Sequence, residues 1–207
     1  MPPAALSPVA PRFVVVVDAA HGGSDEGARL GKGVLEKNLT LVLAERLRVL
    51  LQRQGIAVVM TRNGDVDLPS LNRAEIANHA HAGACLVMHA TATGSGVHLF
   101  TSSILPADRP QILPWESAQA AYVTDSLKLE SEFDAALVHA EIPVTMGRAS
   151  VEPMDNLACP TVAVELAPLV PGNATAGRAI TDEHYQSTVE GAVAAAIGSW
   201  RADWREQ

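Results

Sequence analysis

Four residues of this 207-residue sequence combine a reactive side chain with a place where α/β proteins build sites: His21, Glu36, His89 and Glu165. His21 comes three residues after the apolar run Phe13-Val14-Val15-Val16-Val17-Asp18, His89 ends the run 84–89, and Glu165 ends Thr161-Val162-Ala163-Val164-Glu165. Glu36 opens a helical pattern directly after a glycine-rich loop. Ligands of open α/β sheets gather beyond the carboxyl ends of the strands. Two histidines and a carboxylate are a recurring ligand set for catalytic zinc, with one position open for water. A further carboxylate would then serve as general base and acid. Each residue also has an ordinary structural account. A lone histidine at a strand end commonly makes a structural hydrogen bond, and Glu36 suits the positive end of a helix dipole. Glu165 fits such an account less well, because a carboxylate ending an apolar strand is costly unless paired or metal-bound. No His-x-x-x-His pair fixes two ligands on one helix. His98 lies within a predicted strand and is placed to approach the same region, whereas His79, His81, His139 and His184 read as solvent-facing.

The elements that must position these residues follow from periodicity. The β-branched run at 13–18 is apolar throughout, as expected of a strand covered on both faces. Helix 36–54 carries Leu39, Leu43, Leu47, Leu50 and Leu51 at three- and four-residue steps, and Gly55 is a natural C-terminal cap. Strands are expected at 56–61, 84–89, 96–101 and 161–165, and helices at 71–82, 116–139 and 182–204. Segment 102–115 reads as loop and 140–158 as a looser stretch. Strands alternating with helices indicate one α/β domain with a mainly parallel sheet. The loop glycines Gly22, Gly23, Gly27, Gly31 and Gly33 match neither phosphate-binding spacing.

Composition limits the partners. Apolar residues are 48% and charged residues 18%, enough for one well-filled core. A net charge of −8 without a block of Lys or Arg argues against nucleic acid or an anionic membrane surface. No apolar stretch approaches the about 18 residues of a transmembrane segment. Cys85 and Cys159 sit in apolar runs 74 positions apart and read as buried structural thiols rather than a disulfide framework. Residues 1–12 hold four prolines and read as a flexible leader ahead of a domain at 13–207. They lack signal-peptide features, and an exported precursor whose signal had been removed would look the same.

The ordered motifs resemble a family. Val-Val-Asp-Ala-Ala-His21-Gly-Gly followed by Gly33-Val-Leu-Glu36-Lys-Asn resembles the start of the zinc-dependent N-acetylmuramoyl-L-alanine amidases of the amidase-3 family. Val59-Met-Thr61-Arg62, Leu71-Asn72-Arg73-x-x-x-Ala77-Asn78, Leu86-Val87-Met88-His89-Ala90 and Pro160-Thr161-Val162-Ala163-Val164-Glu165 are similar to its later landmarks. The resemblance implies a twisted, mostly parallel sheet flanked by helices on both faces, and one Zn2+ per chain held by His21, Glu36 and His89. It makes Glu165 the catalytic carboxylate. The implied substrate is peptidoglycan or soluble muropeptides, cut between the muramic-acid lactyl group and L-alanine. An exported, periplasmic or extracellular location, a monomeric enzyme and a possible activator protein go with it. The chemistry is coherent: zinc lowers the pKa of bound water towards about 7, and a carboxylate shuttles the proton. Desolvation by its apolar strand would raise the pKa of Glu165, which suits that shuttle. Arg73 and Asn78 would brace the site, or serve helix packing.

Three departures stand out. Ala19-Ala20 replace the usual Pro-Gly, Ala90-Thr91 stands where Ala-Asn or Ala-Asp is common, and 167–173 departs from the usual Gly-Phe-x-Ser-Asn. The last places fine specificity in doubt. Segment 102–158 is the stretch where an autoinhibitory helix could hide, although Glu130 and Glu132 read as an ordinary solvated helix face. The alternatives are a non-catalytic peptidoglycan-binding homologue and a zinc peptidase with a different scissile amide.

Overall fold

A computed structural model describes residues 13–31, 33–107, 114–170 and 177–204. The expected leader at 1–12 lies outside the described residues. In chain order the elements are β1 (Val14–Ala19), α1 (Glu36–Arg53), β2 (Ala57–Met60), α2 (Ser70–His79), β3 (Ala84–Ala90), β4 (Val97–Ser102), α3 (Val123–His139), β5 (Val144–Ala149), β6 (Thr161–Leu166) and α4 (Glu183–Asp203). The strands form one sheet in the order β2-β1-β3-β6-β4-β5. Every neighbouring pair is parallel except β4 with β6, so the mostly parallel α/β expectation holds. The exception follows from chain length. Residues 91–96 join β3 to β4, too few for a parallel crossover, so β4 returns antiparallel and β6 later fills the gap between them.

Strand alternation divides the core. Val15, Val17, Leu86, Met88, Val162 and Val164 face Leu39, Leu43, Leu47 and Leu51 of α1, Leu129 and Phe133 of α3, and Val189 and Val193 of α4. The intervening residues Val16, Cys85, Val87 and Ala163 face Ala74 and Ala77 of α2 and Met154 of a short 3-10 turn, Met154–Asn156. Helices therefore lie on both faces, but three of the four α-helices among the described residues lie on one. Asp182 caps α4 by accepting from the Tyr185 N–H at 2.8 Å.

Several expectations need correction. Cys85 and Cys159 are not free thiols; they form a disulfide with Cα atoms 6.0 Å apart. Cys159 sits two residues before Thr161, the register partner of Cys85 on the neighbouring strand, so pairing of β3 with β6 closes a 74-residue separation. The looser stretch contains a strand, β5. It is an edge strand with mostly exposed or half-buried residues and a glycine in its interior, features that erase the alternating pattern. Helix 116–139 begins instead at Val123, after a 3-10 turn at Trp115–Ala121. There the buried Gln119 side chain donates to the carbonyls of Leu157 and Cys159. Glu130 is buried, not solvated.

Candidate functional site

The site forms where β1, β3 and β6 end. His21 sits in the loop after β1 with φ +63, a left-handed conformation uncommon outside glycine. His89 is on β3, and Glu36 is the first residue of α1. The three residues offer donor atoms lying within 4.8 Å of one another. Glu36 stands between the imidazoles: its Oε2 is 3.1 Å from His21 Nε2 and its Oε1 is 2.9 Å from His89 Nδ1. Each oxygen also accepts a backbone N–H, from Ala28 at 2.8 Å and Ala90 at 3.0 Å. Burial pushes the Glu36 pKa up, but the contacts with His21 and His89 and those two N–H groups outweigh burial and hold it well below the usual carboxylate range. The Glu36 contact raises the His21 pKa in turn.

The loop that carries His21 is clamped from beneath. Arg62 is 2% exposed and donates to the carbonyls of Ala19, Ala20, Lys37 and Gly64. Arg73, from α2, donates to the carbonyls of Ala19 and His21 at 2.7 Å each and to Asp18 Oδ1 at 2.9 Å. The Ala19-Ala20 departure therefore leaves the backbone anchored. Gly27 completes the packing: at φ +63 its Cα lies so close that a Cβ would stand 2.6 Å from His21 Cδ2 and 2.7 Å from Glu36 Oε2. Asp25 Oδ2 lies 2.8 Å from His21 Nδ1, which fixes the tautomer with Nε2 turned to Glu36.

These residues fit a metal ion. Donors around a tetrahedral zinc with bonds of about 2.0–2.1 Å stand about 3.3 Å apart, close to the imidazole–carboxylate separations seen here. His89 turns Nδ1, not Nε2, towards Glu36 and the cluster. Asp25 supplies the carboxylate–histidine contact that commonly accompanies a ligating imidazole.

Glu165, on β6, stands in register with His89 on β3 and with His98 on β4. By strand alternation all three side chains emerge on the α2 face. His98 Nδ1 is 2.6 Å from Glu165 Oε2, so the expected approach of His98 is met. A cleft of about 420 Å³ opens over the cluster, with Asp18, His21, His89, Arg73, Val151 and Glu152 among its walls.

Of the two candidate braces, Arg73 reaches the site and Asn78 does not. Asn78 donates to the Asn156 carbonyl and accepts from the Ala158 N–H, so it packs α2 against the approach to β6. The segment suspected of hiding a plug places α3 on the opposite face of the sheet, where Leu129 and Phe133 join the core. Among the described residues it contributes only Val151 and Glu152 to the cleft. Sequence reasoning passed over Asp25 and gave Arg62 no role. A carboxylate four positions after a candidate histidine ligand was a readable signal for Asp25, whereas a buried arginine has no local signature.

The Amidase_3 family model, N-acetylmuramoyl-L-alanine amidase, matches residues 15–199. The chain is 44% identical over 81 residues to N-acetylmuramoyl-L-alanine amidase AmiA of Escherichia coli, a match covering 39% of this chain and 27% of that protein. It thus aligns with only about a quarter of that relative. Among solved structures, Ami1 of Mycobacterium smegmatis superposes with a TM-score of 0.73 at 17% identity, covering 93% of this chain and 98% of that one. The CwlD amidase of Clostridioides difficile, solved in complex with the GerS lipoprotein, superposes with a TM-score of 0.68 at 21% identity, covering 92% and 99%. With the family pattern running through nearly the whole described chain, the protein belongs to the Amidase_3 family.

Proposed function

We propose that this chain hydrolyses the amide joining N-acetylmuramic acid to L-alanine of the peptidoglycan stem peptide, with one zinc ion held by His21, Glu36 and His89. The observation that carries this reading is the His21–Glu36–His89 cluster beside Glu165, in a chain of this family. Bound there, zinc would supply Lewis-acid polarisation of the scissile carbonyl and of the attacking water. Glu165 takes a proton from that water and returns it to the departing amine nitrogen of L-alanine. Glu36 stays ionised and keeps both imidazoles oriented. The clamp of Arg62 and Arg73 holds the His21 backbone in place, so the site needs little rearrangement as the reaction proceeds.

The reading extends to location and partners. The Cys85–Cys159 disulfide suits an oxidising, extracytoplasmic compartment. No helix among the described residues is long and apolar enough to cross a membrane. An accessory protein partner is part of the reading, since a structural neighbour, the CwlD amidase, was solved in complex with the GerS lipoprotein.

The test is mass analysis of products from purified muropeptides. Release of a free stem peptide beginning with L-alanine is the expected result, and cleavage at any other amide overturns the assignment. Metal analysis should find about one zinc per chain. Glu165→Ala should keep that zinc and lose at least about 100-fold in turnover.

A further inference from the structure

Glu165 is gripped by a neighbour that the proposed chemistry does not require. His98 stands opposite it on the antiparallel strand β4, and the two side chains meet at 2.6 Å through Nδ1 and Oε2. An ionised carboxylate can only accept, so Nδ1 carries the proton. The imidazole is itself boxed in. Gly94 lies against the far edge of the ring, and a Cβ there would collide with Cε1 and Nε2. Gly94 has φ +85, which glycine adopts without strain. Phe100, on the same face of β4, packs edge-on with ring centroids 6.5 Å apart. The His98 side chain is 15% exposed, against 27% for Glu165.

A glutamate beside the cluster, in register with His89, has three side-chain torsions to restrain, and a proton carrier works only within hydrogen-bond reach of its water. The His98 ring has two torsions, both limited here by Gly94 and Phe100. We infer that His98 is a positioning residue that holds Glu165 through Oε2 and leaves Oε1 for proton transfer, with Gly94 making room for the ring. This rests on the reading of Glu165 as the proton carrier.

Two substitutions separate positioning from packing. His98→Leu keeps apolar bulk and removes the donor, whereas His98→Asn places an amide N–H where Nδ1 stood and loses the bulk. With zinc-loaded protein and purified muropeptides, His98→Leu should lower kcat about 10- to 100-fold with KM nearly unchanged, and His98→Asn should restore most of the loss. A packing role gives the reverse order, and that order, or a fully active His98→Leu, overturns the inference. Long-range 1H–15N spectra of the metal-free protein provide a readout independent of turnover. His98 should appear as the Nδ1–H tautomer and shift on Glu165→Ala; resonances that do not respond refute the pair even where His98→Leu fails to fold. A wild-type protein that shows this response but releases no peptide would remove the proposed reaction while leaving the pair standing.

Discussion

On one face of the sheet α1, α3 and α4 bury leucine, phenylalanine and valine against alternate strand residues. On the other, α2 and a 3-10 turn supply alanines, Met154 and Leu157 around a disulfide. The thick face relies on apolar burial. The thin face relies on covalent and polar restraint, with Arg62 and Arg73 clamping carbonyls and Cys85–Cys159 tying β3 to the approach of β6. His89, Glu165 and His98 emerge on the thin face, where no long helix among the described residues covers the strand ends. Leaving strand ends open for chemistry removes apolar area, and the restraints replace part of what that area would contribute.

The contrast is most easily broken by removing apolar volume from the thick face. Phe133 is fully buried between α3 and the sheet, so Phe133→Ala should cost about 3–5 kcal/mol. Chemical denaturation should show that loss while the folded variant still takes up one zinc. A loss of zinc without loss of stability would mean the faces are not separable.

The disulfide offers the corresponding test on the thin face. Opening a 74-residue loop should cost about 2–4 kcal/mol. Cys85→Ala combined with Cys159→Ala should lower the thermal midpoint by that equivalent, and a reductant should have no further effect on the double variant. An unchanged midpoint would show that packing of Val87 and Ala163 and the arginine clamp secure this face without the disulfide.

The thick face also carries a cost that depends on pH. Glu130 is buried, and desolvation pushes its carboxyl from 4.5 up to about 7, with Asp134 adding to the shift and Arg148 opposing it. Glu190, on α4, is raised to about 7 by the same cause. A carboxyl with a raised folded-state pKa binds its proton more tightly in the folded than in the unfolded chain. Its contribution is therefore neutral below about pH 4.5 and grows unfavourable as pH rises to about 7, after which it is constant. Glu130→Gln should leave stability unchanged near pH 4.5 and raise it at pH 8 by up to about 3 kcal/mol. Thermal unfolding across that range checks the sign, and a variant less stable at pH 8 would show that the ionised group is paired.

The two faces also differ in how much of them the sequence discloses. The leucines of α1 recur at helical steps, β1 carries a β-branched run and β3 and β6 carry apolar ones, so the thick face and the strand ends were legible. So were His21, Glu36, His89 and Glu165 as residues at those ends. The thin face was not, because its restraints depend on register. Cys85 and Cys159 meet only once β6 is known to lie beside β3, and β4 would have been the guess from chain order. Arg62 looks like a surface charge until four carbonyls converge on it. The edge strand β5 lacks an alternating pattern, and Glu130 looks solvated because its neighbours Lys128 and Glu132 are polar.

Asp25 gives the finest test, because it touches the site without shaping either core. Its carboxylate is largely exposed; desolvation pushes its pKa up, but the His21 and Gly27 contacts together outweigh that and hold it below its usual range. Its role is to fix the proton of His21 on Nδ1, so that Nε2 faces Glu36. Asp25→Asn keeps a polar group of the same shape but can present either N–H or carbonyl oxygen to the ring. Zinc affinity should fall about 10- to 100-fold, the equivalent of about 1.4–2.7 kcal/mol, with the thermal midpoint of the metal-free protein unchanged. Competition with a chelator of known affinity measures the first and calorimetry the second. An unchanged affinity would show that Glu36 alone orients His21, and that the thin face needs no restraint beyond its arginine clamp and its disulfide.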